Sequence, residues 1–158
     1  MTDVFLIEPR PYDHPAATTL VAELQAEYVT RYGGPDETPV EAGEFHPPDG
    51  LFLVGSLDGD AVAAGGWRRV GDGVAEIKRM YVAERARRRG LSRRMLTELE
   101  ATLAAAGYRR VVLMTALAQP EAIALYESSG YEQAEPYGVY ACAPDARFYT
   151  KPLQASRA

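Results

Sequence analysis

The chain has 158 residues, 47% of them apolar, with 17 basic and 22 acidic side chains and a formal charge of −5. That length suits one packed domain, no apolar run approaches the about 18–20 residues of a membrane-spanning helix, and net acidity argues against a nucleic-acid binder, which needs a broad basic surface. A lone cysteine, Cys142, excludes an internal disulfide framework, and with only His14 and His46 beside it makes a poor metal set, so no bound metal is expected. The N-terminus lacks the basic start and long apolar stretch of a signal peptide, so a cytoplasmic protein is expected, with no membrane partner.

Residues 4–8 read as a first strand, and Pro9, Pro11 and Pro15 punctuate the turn after it. Leu20, Val21, Leu24 and Tyr28 recur at helical spacing over residues 16–32, and Gly33-Gly34-Pro35 stops that helix. Four prolines and several acids make residues 35–50 a loop with room for one short helical turn. Asp58-Gly59 between two apolar runs predicts a hairpin, and residues 71–73 turn the chain into a third strand, VAEIKRMYV. A helix over residues 90–106 follows, with Leu91, Met95, Leu96, Leu99 and Leu103 on one face and Gly107 past its end. RRVVLMTA is a buried strand, residues 120–129 a helix opened by Pro120, and residues 131–134 and 147–151 closing strands. The expected fold is α/β: a mixed, mainly antiparallel sheet of six to seven strands flanked by helices, with one parallel crossover over residues 74–115. Residues 1–153 form the domain and 154–158 a flexible tail.

Between the third strand and the second helix lies ERARRRGLSRR, which packs six of the 17 basic residues into eleven positions. Such a run is a solvated face, a nucleic-acid patch or an anion seat. A helix N-terminus presents unpaired N–H groups and partial positive charge, and arginine adds fork-shaped donors to phosphate oxygens. Neither a Walker loop nor GxGxxG is present.

Arg87-x-x-Gly90-x-Ser92, after a strand and before a helix, resembles the acetyl-CoA signature of the GCN5-related N-acetyltransferases, with Ser92 in place of the usual Gly or Ala. AEIKRMYVAERARRRGLSRRML is similar to that family's fourth strand, phosphate loop and third helix, and QPEAIALYESSGYE to its later helix and strand. The resemblance covers nearly the whole chain. It implies the acyl-CoA N-acyltransferase fold and acetyl-CoA as co-substrate, with the pyrophosphate on the backbone of Arg88, Arg89, Gly90, Leu91 and Ser92. Arg87 and Gln119 join that cofactor-binding set, and pantetheine would run along Met80, Tyr81 and Val82 like an added strand. The apolar set Ile77, Met80, Val82 changes phase midway, which a β-bulge or burial on both faces would explain.

Tyr126 matches the family tyrosine that hydrogen-bonds or protonates the leaving thiolate, against the reading that it packs as helix core. Glu76 matches the glutamate that serves as base in histone-acetylating members, against a structural pair with Lys78 or Arg79. Nothing beside Cys142 activates it as a nucleophile, so direct attack by the amine in a ternary complex is expected. From Tyr32 to Trp67 there is no Lys or Arg but Asp36, Glu37, Glu41, Glu44, Asp49, Asp58 and Asp60. These acids suggest a mouth for a small cationic amine, unless they serve only solubility; Tyr28, Phe45, Trp67 and Tyr137 would wall it, unless they are core. A protein lysine or N-terminal amine is the alternative acceptor, and a non-catalytic acyl-CoA sensor the alternative class. A homodimer is open, with no segment arguing for it.

Overall fold

The computed structural model describes residues 4–154. Its elements are β1 (Phe5–Pro9), α1 (Pro15–Tyr32), a 3₁₀ turn (Ala42–Phe45), β2 (Gly50–Leu57), β3 (Asp60–Gly71), β4 (Val74–Val82) and α2 (Leu91–Ala105). β5 (Arg110–Ala116), α3 (Pro120–Ser128), β6 (Glu132–Gln133) and β7 (Ala146–Pro152) complete it. The order agrees with the sequence reading throughout; residues 155–158 of the expected tail lie outside the described residues. Leu153 is tied in by its N–H, which donates to the Arg109 carbonyl at 2.7 Å.

All seven strands form one sheet in the order β1-β2-β3-β4-β5-β7-β6. Every pairing is antiparallel except β4–β5, which is parallel and joined through α2. Helices cover both faces. Leu91, Met95, Leu96, Leu99 and Leu103 of α2 pack on Ala63, Trp67, Ala75 and Ile77. On the other face Ala17 and Leu20 of α1 meet Phe52, Val54 and Ala64. Sheet positions buried on both sides explain why β3 and β4 lack strict polar alternation.

Two backbone features shape the middle of the sheet. The β3–β4 register steps from Ala64↔Tyr81 to Gly66↔Lys78, so Arg79 and Met80 stand against Gly65 alone. That two-against-one count is a β-bulge, and Arg79 adopts φ 62 within it. The bulge moves the α2-facing phase from Ala75 and Ile77 to Met80 and Val82, which resolves the phase change in the sequence. Space is tight at Gly65, since a Cβ there would lie 3.1 Å from both Leu99 Cδ1 and Met80 Cγ and those side chains would have to give.

The second feature is a gap. Parallel pairing of β4 with β5 ends at Glu76↔Val112, while β4 continues to Val82 and β5 to Ala116. The two strands splay apart beyond that point and open a wedge in the sheet.

Candidate active site

The wedge widens into a cleft of about 1280 Å³. Its walls are the second half of α1, the loop 33–37, β4 from Glu76 to Val82, the first turn of α2, the end of β5 and one face of α3. Glu76, Met80, Tyr81, Val82, Arg87, Arg88, Gly90, Leu91, Ser92, Gln119 and Tyr126 all line it, so most of the expected site residues converge. Arg89 is not among the lining residues.

At the α2 end the cleft is bounded by backbone. Leu91 buries its side chain in the core, leaving its N–H at the helix start. Gly90 caps α2 with φ 75, and no side chain caps the first turn. A Cβ on Gly90 would meet nothing within 4 Å, so glycine serves the left-handed conformation there, and the space in front of the helix stays open. Arg88 is left-handed too, at φ 68, a conformation that costs a non-glycine residue about 1 kcal/mol. Its exposed side chain has no hydrogen bond or ion pair among the described residues.

The other arginines of the run are engaged. Arg87 folds back: Nε donates to the Val82 carbonyl at 2.9 Å and Nη2 to Glu27 at 2.7 Å. It clamps the loop to α1 and the end of β4, and reaches into the cleft wall only from that position. Of Arg85, Arg93 and Arg94, Arg93 alone lines the cleft. Arg85 pairs with Asp60 at 3.0 Å, Arg93 donates to the Ser128 and Ser129 hydroxyls, and Arg94 lies over the Phe5 ring.

In the middle of the cleft the Tyr126 side chain is buried, and its hydroxyl points at the Met80 sulfur, 4.0 Å away. A thioether is a weak acceptor, so this donor is held without a strong partner. Burial raises its pKa to about 12, which keeps the phenol protonated at any working pH. Tyr126 also packs edge-on against Tyr131, so the core reading of the sequence holds alongside its place in the cleft. The Gln119 side chain donates to the Tyr32 hydroxyl at 2.8 Å and joins α3 to α1 across the rim.

Glu76 is buried at the closed end of the wedge, on the last paired residue of β4. Its partner is neither Lys78 nor Arg79 but Arg68 on β3, whose Nε donates to Glu76 Oε1 at 3.1 Å. Arg68 also bonds Glu44 Oε1 at 3.1 Å and the Pro39 carbonyl at 2.8 Å. The buried Tyr137 hydroxyl faces the Glu76 carboxylate outside hydrogen-bond geometry, and burial first, then that charge, raises its pKa.

Lys78 and Arg79 converge instead on Asp36, at 2.9 and 3.0 Å to the same Oδ2. Burial pushes the Asp36 carboxyl up, but the Lys78 charge and hydrogen bond, with the Thr38 N–H and hydroxyl, outweigh it and hold the pKa near about 2. This cluster escapes sequence reasoning that takes Asp36 as one acid of an open mouth. The available signal was two adjacent cations inside an apolar strand, which need a buried partner.

The acidic mouth itself is corrected. Asp36 and Glu44 are paired internally, Asp49 pairs with Arg69, Asp60 with Arg85, and Asp58 accepts from the Val4 N–H. Glu41 and Glu44 form a capping box on the 3₁₀ turn. Of the seven acids only Asp36 and Glu37 line the cleft. Of the expected aromatic wall only Tyr28 lines the cleft: Phe45 stacks on Tyr12 in the core, Trp67 packs on Tyr108 while donating to Thr102, and Tyr137 packs edge-on against Phe148. Cys142 is exposed and is not among the lining residues.

A strand wedge, a bulge beside it and an open helix start lie along one cleft, and likeness to known proteins says which fold this is. The model of the acetyltransferase (GNAT) family matches residues 17–131, and the chain belongs to that family. An "IAA acetyltransferase" of Azospirillum brasilense is 32% identical over 139 residues, covering 87% of this chain and 91% of the relative. A Klebsiella pneumoniae structure assigned to the acyl-CoA N-acyltransferases superposes with a TM-score of 0.83 at 26% identity, over 96% of this chain and 99% of that one. A GNAT acetyltransferase of Elizabethkingia anophelis, solved with acetyl-CoA bound, shares the fold at a TM-score of 0.69 and 16% identity, over 94% and 98% of the two chains. Among the described residues no helix is long and apolar enough to cross a membrane.

Proposed function

We propose that this acetyltransferase moves an acetyl group from acetyl-CoA to the primary amine of a small molecule, by direct attack in a ternary complex. The observation that carries the reading is the alignment of three features along one wedge: the open first turn of α2, the unpaired stretch of β4 up to its bulge, and the Tyr126 hydroxyl over Met80. The residues present suit the co-substrate. The α2 N–H groups with Arg88 offer donors and charge to a pyrophosphate, and Met80–Val82 offer a strand edge for pantetheine. Arg87 positions that loop through Val82 and Glu27. Gln119 stands at the rim of the same seat.

In this scheme Glu76 takes the ammonium proton through a water, because an alkyl ammonium of pKa about 10.4 must be neutral to attack. The amine nitrogen then bonds to the thioester carbon and the carbon–sulfur bond breaks. A backbone N–H at the bulge near Met80 donates to the carbonyl oxygen as charge grows there. Tyr126 donates a hydrogen bond to the departing sulfur. Burial raises the phenol's pKa to about 12, so it enters the step protonated and able to donate to the leaving thiolate. Cys142 is not among the residues lining the cleft, which favours this direct route over an acyl-enzyme. The Azospirillum relative, at 32% identity, favours a small-molecule acceptor over a protein one.

Thiol release from acetyl-CoA across amino acids, polyamines, aminoglycosides and lysine peptides tests the reading, with Tyr126→Phe alongside. Turnover with one small-amine class, and kcat reduced about 100-fold in the variant with little change in acetyl-CoA KM, is the expected result. Acetyl-CoA binding without release for any amine would leave the sensor reading instead.

A further inference from the structure

Two charge clusters occupy neighbouring positions of β4, and their balances are opposite. Arg68 is shared by Glu44 and Glu76, which leaves one surplus negative charge. Asp36 is shared by Lys78 and Arg79, which leaves one surplus positive charge. The second cluster is deeply placed: side-chain exposure is 8% for Lys78, 5% for Arg79 and 10% for Asp36. Arg79 Nε is buried with no hydrogen-bond partner. A buried, incompletely compensated cation costs free energy unless an anion meets it.

We infer that the acceptor is an amine that also carries a carboxylate, an amino acid, with its carboxylate at Lys78 and Arg79 and its ammonium toward Glu76. The inference rests on the acetyl-transfer reading above. Glu76 and Lys78 precede the bulge and lie two positions apart on one strand, so they share a face at about 6–7 Å spacing. That spacing lets one small zwitterion meet both. All of Glu76, Lys78, Arg79 and Asp36 line the cleft. The surplus cation is poorly placed for the co-substrate's phosphates, because Lys78 sits on the order of 10 Å back along β4 from the arginine loop. Of the other acids on the cleft wall, Glu37, Glu84, Glu121 and Asp145 are exposed, so water and salt screen them, and Glu27 is paired with Arg87. A polyamine or aminoglycoside would bring only positive charge against Lys78 and Arg79.

The test compares initial rates of thiol release from acetyl-CoA for a set of amino acids, each against its own carboxamide. We expect the acids to be preferred about 10–100-fold in kcat/KM, the range for a charge-assisted hydrogen bond. Lys78→Gln should remove most of that ratio and Lys78→Arg should retain most of it. Carboxamides or polyamines turning over as well as the acids would overturn the inference while leaving the acetyltransferase reading intact. Calorimetric binding of N-acetyl amino acids, against their N-acetyl carboxamides, separates the two failures. A preference for the acids without any turnover keeps the carboxylate site and overturns the catalytic reading; no preference overturns the site. Should Lys78→Gln fail to fold, the wild-type ratios and binding decide alone.

Discussion

The two ends of the cleft are built from different materials. At the α2 end the site is backbone: a helix start, a left-handed glycine and an unpaired strand edge, with Arg88 the side chain that stands free. At the Glu76 end it is side chains in ion pairs that reach across the fold, Asp36 to Lys78 over 42 positions and Glu44 to Arg68 over 24. Backbone donors suit a ligand that never changes, because their geometry is set by the fold. Paired side chains can be exchanged singly, so they suit the part of the reaction that varies within a fold shared by many acetyltransferases.

The largest expected break of that contrast is Glu76→Gln. It removes the proposed proton acceptor and one of the two acids on Arg68. We expect kcat to fall at least about 100-fold, with acetyl-CoA affinity nearly unchanged. A fall below about fivefold would assign the base to ordered water.

Acid stability probes the same end. The Asp36 carboxyl is lowered from 3.8 to about 2, so its contribution is complete above pH 4 and disappears as pH falls through 2. Allowing for solvent screening, the contribution is on the order of 1–2 kcal/mol. Urea unfolding of wild type and Asp36→Asn should therefore differ by that amount at pH 7, and the difference should shrink toward pH 2.

These ends were not equally legible in the sequence. Element order, the β4 bounds and the helix start were readable because each depends on neighbours within a few residues, such as the Asp58-Gly59 turn and the glycine before Leu91; the phase change between Ile77 and Met80 left a bulge and burial on both faces open, and the β3–β4 register supplies the bulge. The acidic span misled for a physical reason. A run without Lys or Arg looks uncompensated along the chain, yet Arg68, Arg69, Lys78 and Arg85 pair with four of its seven acids from β3, β4 and the loop that follows. Charge pairing is long-range in sequence, and no local pattern shows which acid meets which base. The arginine run shows the same limit, since its pairs of Arg85 with Asp60 and Arg87 with Glu27 cannot be read locally.

At the α2 end the effects are smaller and separable. Arg88→Ala should weaken acetyl-CoA binding about tenfold, a charge-assisted contact, and reduce its salt dependence. Filter binding or calorimetry at two ionic strengths reads both. Arg85→Ala is the control, because Arg85 is already paired and should leave affinity unaltered.

Gly90→Ala sharpens the claim that this end is backbone. The φ of 75 costs an alanine about 1 kcal/mol, and no neighbour within 4 Å adds a clash. Stability should fall by that amount and no more, measured by denaturant midpoint at constant slope. If the helix start receives the pyrophosphate, acetyl-CoA affinity must fall further than the stability change explains, because the added methyl occupies the space where a phosphate oxygen would approach. Equal losses would mean that Gly90 only shapes the turn and that Arg88 does the holding. An excess loss of affinity in Gly90→Ala, beside the modest one in Arg88→Ala, would show that N–H groups rather than guanidinium carry the donor end.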